Sequence, residues 1–371
     1  MKHAPWHGVT PTDLVFPFFL FAVGNAMAFV MPKLQAAGDG VFWRKVVVRT
    51  VLIFLIGLFL NWWPFVQWSG EELVIRHWVD PTNSERGVRL LGVLQRIALA
   101  YFFASILVYY LQGKKLIWTS VGILLLYWIL CIVLGVPGDQ YSLTGWFGTD
   151  IDKQIIGVAH MYKGEGVPFD PEGLVSTLPS IVQVVFGFFA GQYIRKAGEV
   201  TWVWEKLRMP SNPPIYRMLS GLLVIGAVAT LIGLAWGEFF PINKKIWTSS
   251  YVFYTTGLAV ISIGVMIWYI EVLGVKNSFT RFFDVFGKNP LFIFVLSGLL
   301  PRLLALFRWQ TGVNADGNAI YTSPLPWFYR EVCAKVPGPT EYGSFCYALA
   351  FLVLCWGIAY WLDRRKIYIK V

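Results

Sequence analysis

The sequence predicts an all-α polytopic transmembrane helix bundle, and three observations carry that expectation. Of 371 residues, 56% are hydrophobic and only 14% charged, with a mean hydropathy of +0.58, far more apolar than a soluble domain of this length needs. The apolar residues gather into runs long enough to cross about 30 Å of hydrocarbon as helix. Between the runs Lys and Arg come in short groups, and Trp crowds the run ends, as at Trp62, Trp63, Trp118 and Trp236, where an amphipathic ring prefers to sit.

In chain order the spans are expected near 14–31, 46–64, 90–111, 116–136, 175–194, 218–236, 246–269, 290–307 and 345–362, within a single domain covering 1–371. Nine spans put the termini on opposite sides. One alternating set of connectors holds Lys33, Arg44, Lys45 and Arg49; Lys114 and Lys115; Arg195, Lys196, Lys206, Arg208 and Arg217; Lys276, Arg281 and Lys288; and the tail with Arg364, Arg365, Lys366 and Lys370. That is more than half of the basic residues, so this set is expected in the cytoplasm, with the N-terminus outside and the C-terminus inside. The opposite face has the long loops, 65–89, 137–174, 237–245 and 308–342, most of the carboxylates and all four histidines. Chemistry that needs acids and bases is most easily built there.

Several classes fall away. The net charge of +10 has no basic stripe or nucleic-acid motif behind it and reads as topology, so no nucleic-acid partner is expected. The four cysteines lack metal-ligand spacing, so no metal is expected; Cys333 and Cys346 share one loop and pair only if it lies outside the cytoplasm. No internal repeat argues for the symmetry common in secondary transporters.

The polar motifs sit at helix mouths. His3-Ala-Pro-Trp6-His7-Gly8 and Asp13 lead into the first span; a titratable cluster there is a site candidate, or else an interfacial turn with a cap at Asp13. Gly92-Val-Leu-Gln95-Arg96 puts an arginine inside an apolar helix, where it snorkels, pairs or contacts an anion or carbonyl in a cavity. Asp170-Pro-Glu172-Gly173 precedes the fifth span, either as helix-dipole complement or as a contact for a cationic or polyhydroxylated substrate. Pro241-Ile-Asn243-Lys244-Lys245-Ile-Trp247 enters the seventh with two lysines on the side where lysine is disfavoured. Gly287-Lys288-Asn289-Pro290 opens the eighth as a turn and cap, and Arg44, Lys45, Lys288 and Asn289 are the cytoplasmic residues placed to meet a phosphate-bearing cofactor.

Taken together, His3-x-x-Trp6-x-Gly8 with Asp13-Leu-Val-Phe-Pro17, Gly92-Val-Leu-Gln-Arg96, Asp170-Pro-Glu-Gly173 with Thr177, and Pro241-x-Asn243-Lys-x-x-Trp247 resemble the membrane domain of the heparan-α-glucosaminide N-acetyltransferase family and its bacterial members. The resemblance covers essentially the whole chain. It implies acetyl transfer from cytosolic acetyl-CoA to an amino sugar or glycan amine across the bacterial inner membrane, with His3 as base or acyl carrier and Asp13 as its partner. Asp170 and Glu172 are then expected at the acceptor, with Gln95, Arg96, Asn243, Lys244 and Trp247 lining the passage. Some bacterial members are labelled N-acetylglucosamine-related transporters, so a sugar permease is the alternative. A homodimer stays open. Family members carry one more helix before the His-x-x-Trp motif, beginning with a Ser-Leu-Asp-x-Phe-Arg-Gly-like sequence, so the resemblance implies either a start upstream of Met1, with ten spans, or a truncated protein whose active site lacks a wall.

Overall fold

The computed structural model describes residues 2–206, 214–313 and 317–369. Arg208 and Lys370, used above for orientation, lie outside them. Among the described residues eight helices are long and apolar enough to cross a membrane, or nine if one bent pair counts as a span. The all-α bundle expected from composition is what the chain builds.

Contacts divide the chain into two compact units. The first, Met1–Leu58 with Asn83–Gly274, contains α1 (Val15–Ala37), most of α2 (Asp39–Trp62), α3 (Val93–Tyr110), α4 (Lys114–Leu134), a short α5 (Gly148–Ile156), α6 (Leu174–Lys206), α7 (Pro214–Gly237) and α8 (Ser249–Ile267). α6 is its centre: 78% of its apolar window is buried, and it packs against α1, α3, α4, α5, α7 and α8. Glycines let α1 and α6 meet backbone to backbone. A Cβ on Gly24 would stand 1.8 Å from the Val184 carbonyl oxygen, and one on Gly187 would stand 2.0 Å from that of Phe21. With lipid on the outside of the bundle, such close packing supplies the attraction that hydrophobicity supplies in water.

The second unit, Phe59–Thr82 with Val275–Val371, holds α9 (Ser278–Lys288), α10 (Pro290–Leu304), α11 (Pro324–Glu331) and α12 (Thr340–Arg364). It also holds two antiparallel hairpins, Val66–Ser69 with Glu72–Ile75 and Trp309–Val313 with Ala319–Thr322, in stretches expected as loops. The span expected at 290–307 is instead the 15-residue α10, bent by 81° from α9. The cause is local. Asn289 leaves helical geometry at φ −134, ψ 49, its amide is taken up by the Ile367 carbonyl and the Ile369 N–H, and Pro290 has no N–H to continue α9. Cys333 and Cys346 are free thiols whose side chains meet, joining the turn after α11 to the start of α12.

Candidate active site at the N-terminal ends of α1, α6 and α8

The site grows from one carboxylate. Asp13 is 1% exposed and closes the 3-10 turn Pro11–Leu14 that starts α1. Its Oδ2 accepts the backbone N–H groups of Ala4 and Thr10, each at 3.0 Å, and the Thr10 hydroxyl at 2.9 Å. Its Oδ1 lies 2.6 Å from His3 Nδ1. A carboxylate only accepts, so Nδ1 carries a hydrogen, and in the neutral ring the lone pair is then on Nε2. Lys244 Nζ approaches the same Oδ1 at 3.4 Å, and the Tyr251 hydroxyl donates to the Asp13 backbone carbonyl at 2.6 Å. Both sequence readings of Asp13 are therefore realised at once: it caps the helix and it holds the histidine.

The rest of the His-x-x-Trp-x-Gly motif fastens this segment down. Trp6 Nε1 donates to the Tyr141 carbonyl at 2.8 Å and packs on Phe169. Gly8 takes φ +97, a left-handed conformation that a side chain disfavours, and donates its N–H to the Ile242 carbonyl at 2.8 Å. Asn243, fully buried, bonds back: Nδ2 lies 3.3 Å from His7 Nδ1, while Oδ1 accepts the N–H groups of Lys245 and Ile246. Burial lowers the His7 pKa, leaving a neutral ring that accepts.

His3, Asp13, Glu172, Lys244 and Trp247 line one cavity of about 280 Å³, together with Arg89, Tyr162, Glu165 and Lys245. Arg89, Tyr162 and Glu165 are missing from the sequence reading. Arg89 holds the buried Asp170 through two bonds, Nε to Oδ2 at 3.1 Å and Nη2 to Oδ1 at 2.5 Å, reaches Glu172 as well, and lies 4.7 Å over the Tyr162 ring. Lys245 pairs with Glu165 at 2.6 Å and donates to the Pro5 carbonyl at 2.7 Å. With Lys244 on Asp13, each of the two lysines expected on the disfavoured side has an acidic partner. Asp170 thus acts on the cavity through Arg89, whereas Glu172 faces it.

No protein-family model matches the chain. Heparan-alpha-glucosaminide N-acetyltransferase of Homo sapiens is 24% identical over 419 residues, covering 100% of this chain and 56% of the relative. The Mus musculus protein of the same name is 25% identical over 356 residues, covering 83% and 50%. Both relatives carry the name of the family that the motifs resemble. The chain spans about half the length of the curated relatives it matches.

Of the residues expected to line the passage, two are buried behind the cavity. Gln95 Nε2 donates to the Leu90 carbonyl at 3.0 Å, and Gly57 packs against its amide. Arg96 is fully buried, with Nη2 on the Gly173 carbonyl at 3.1 Å and on the Ser176 hydroxyl. The four residues expected at a cofactor are divided between the two units, two in each. Arg44 and Lys45 stand exposed on α2, Lys288 pairs with Asp284 and Asp363 at 2.8 and 3.1 Å, and Asn289 is spent on the chain after α12. A second cavity of the first unit, about 340 Å³, opens at the opposite helix ends, among Gln35 of α1, Gln112 after α3, and Gln192, Arg195 and Lys196 of α6. Its basic pair belongs to the connector set already expected in the cytoplasm.

A further acidic group, absent from the sequence reading, lies next to Arg96. Asp152 of α5 is fully buried; Oδ1 accepts the Leu174 N–H at 2.9 Å and so caps α6, while Oδ2 has no partner. Burial pushes its pKa up to about 7, with Asp170 adding to the effect and the Leu174 N–H and Arg96 opposing it.

Proposed function

We propose that this protein is a transmembrane acyltransferase that moves an acetyl group from acetyl-CoA, bound on the cytoplasmic side, to the amine of an amino sugar or glycan on the extracytoplasmic side. The observation that carries the proposal is the His3–Asp13 pair: an imidazole whose Nδ1 hydrogen is held by a buried carboxylate, on a residue that lines a cavity walled by acids and bases. An acceptor amine is protonated near neutral pH and must lose a proton to attack a thioester. Nε2 takes that proton, or first accepts the acetyl group and passes it on; the tautomer is the same for both routes. Glu172 and Glu165 offer carboxylates to an ammonium and to sugar hydroxyls, and Arg89, Lys244 and Lys245 balance them.

Acetyl-CoA brings the activated acyl group and a phosphate-rich head. The cavity at the opposite helix ends suits that head: Arg195 and Lys196 supply positive charge and three glutamines supply amides. In this reading the charge distribution sets the direction of transfer, with the His3 cavity facing outward and the C-terminus in the cytoplasm of a bacterial inner membrane. The names of both relatives support a transferase, and neither favours the sugar permease.

The test is transfer of label from radiolabelled acetyl-CoA to glucosamine by the purified chain. His3→Ala is expected to lower the rate by about 100-fold or more. Full transfer by that variant sinks the mechanism.

A further inference from the structure

Arg96 is a charged group with unused hydrogen-bonding capacity. It is 0% exposed, yet only Nη2 is bonded; Nε and Nη1 have no partner. No carboxylate within ion-pair distance neutralises it among the described residues; Asp170, Glu172 and Asp152 act on it only through space. Burying a guanidinium this way is expensive unless something binds it. Trp247 covers it, with the guanidinium 5.1 Å over the indole ring, and the same Trp247 lines the His3 cavity. Trp247 is itself held in place under constraint: it is 1% exposed, has a left-handed φ of +53 and is wedged edge-on by Phe16 and Tyr251 at ring distances of 5.1 and 5.2 Å. Its own indole N–H is also unpartnered.

We propose that Arg96 is the acyl-carbonyl site of this protein, its Nε and Nη1 hydrogens binding the carbonyl oxygen of the acyl donor and the oxyanion that forms from it. The assignment rests on the acyltransferase reading above. When a nitrogen, that of the acceptor amine or Nε2 of His3, bonds to the carbonyl carbon, the C=O π pair moves onto oxygen. The negative charge then lies against a fixed cation in a place that excludes water, where such donors act most strongly. Collapse re-forms C=O, breaks the C–S bond and releases CoA as thiolate; in direct attack the amine proton goes to Nε2 of His3, and where Nε2 attacks first the amine then displaces it from the acetyl group, breaking the N–C bond, and the freed Nε2 takes the amine proton. Trp247 stands between the guanidinium and the cavity, so this assignment requires the indole to move aside when the donor binds.

Two measurements on the full chain in detergent test this. In the first, the unaltered protein is offered acetyl-CoA and the thioether S-ethyl-CoA, which has a methylene in place of the carbonyl. Acetyl-CoA is expected to bind at least about tenfold more tightly, the worth of a hydrogen bond from a charged donor; equal binding overturns the assignment while leaving the acyltransferase reading intact. In the second, Arg96→Lys, which keeps the charge but not the fork of donors, is expected to lose about 100-fold in kcat with an unchanged KM for the amine, and to lose the preference for acetyl-CoA over S-ethyl-CoA. A folded Arg96→Lys protein within threefold of the parent kcat, or one that retains the preference, overturns the assignment. Binding of neither CoA compound to the unaltered protein removes the acyltransferase reading, and this assignment with it.

Discussion

Asp13→Asn is the most informative single change, because it replaces one oxygen with an NH₂ and forces a choice on the site. The carboxylate serves donors on both oxygens: Ala4, Thr10 N–H and the Thr10 hydroxyl at Oδ2, His3 and Lys244 at Oδ1. An asparagine has one oxygen and one NH₂. Three donors on the Oδ2 side outweigh the contacts on the other, so the amide oxygen stays with Ala4 and Thr10 and the NH₂ turns to His3. Nδ1 must then accept, the ring hydrogen moves to Nε2, and the cavity faces an imidazole with no lone pair. Stability should fall by about 1–3 kcal/mol, the cost of replacing charged hydrogen bonds by neutral ones. Transfer should fall by about 10³-fold, since general base catalysis supplies about 10²–10⁴. The assay is acetyl transfer from labelled acetyl-CoA beside thermal unfolding in detergent. An Asp13→Asn protein that is folded and transfers within threefold of the parent refutes the tautomer argument.

Two further outcomes are expected. Asp152 has a folded-state pKa of about 7, raised from an ordinary value of 3.8, so its contribution to stability is full below about pH 4 and is lost as pH rises toward 7; Asp152→Asn, neutral throughout, should unfold less readily than the parent at pH 8, by a few kcal/mol at most, and show a flatter dependence of unfolding temperature on pH. Gly187→Val should separate α1 from α6, since its first carbon would lie 2.0 Å from the Phe21 carbonyl oxygen; a loss of about 3 kcal/mol is expected, read as a lower unfolding temperature, whereas the same change at exposed Gly122, where nothing lies within 4 Å, should be tolerated far better.

Much of this was legible in the chain because it is local. Apolar runs mark the helices: the span expected at 175–194 is the apolar core of α6, and that at 345–362 lies within α12. His3 and Asp13 are ten residues apart and meet through a single turn. What was not legible depends on distant partners. Arg89 reaches Asp170 across 81 positions and Lys245 reaches Glu165 across 80, and nothing in either neighbourhood announces the other. Asp152 looked like an ordinary loop acid because α5, a short helix with one apolar face, lay hidden in a polar stretch. Asn289 shows the opposite error. A Lys-Asn-Pro turn next to basic residues suggests phosphate, but the amide is consumed by the backbone at Ile367 and Ile369.

The division of labour at Asp13 has a consequence for how the site can vary. One oxygen fastens the chain into its first helix and the other aims the imidazole, so the ring takes its direction from the start of α1, while Pro5, Trp6 and Gly8 fasten its segment to the rest of the first unit. Any repacking of α1 against α6 or α8 swings the imidazole with it, and a protein that loosens this helix loses its aim before it loses its fold.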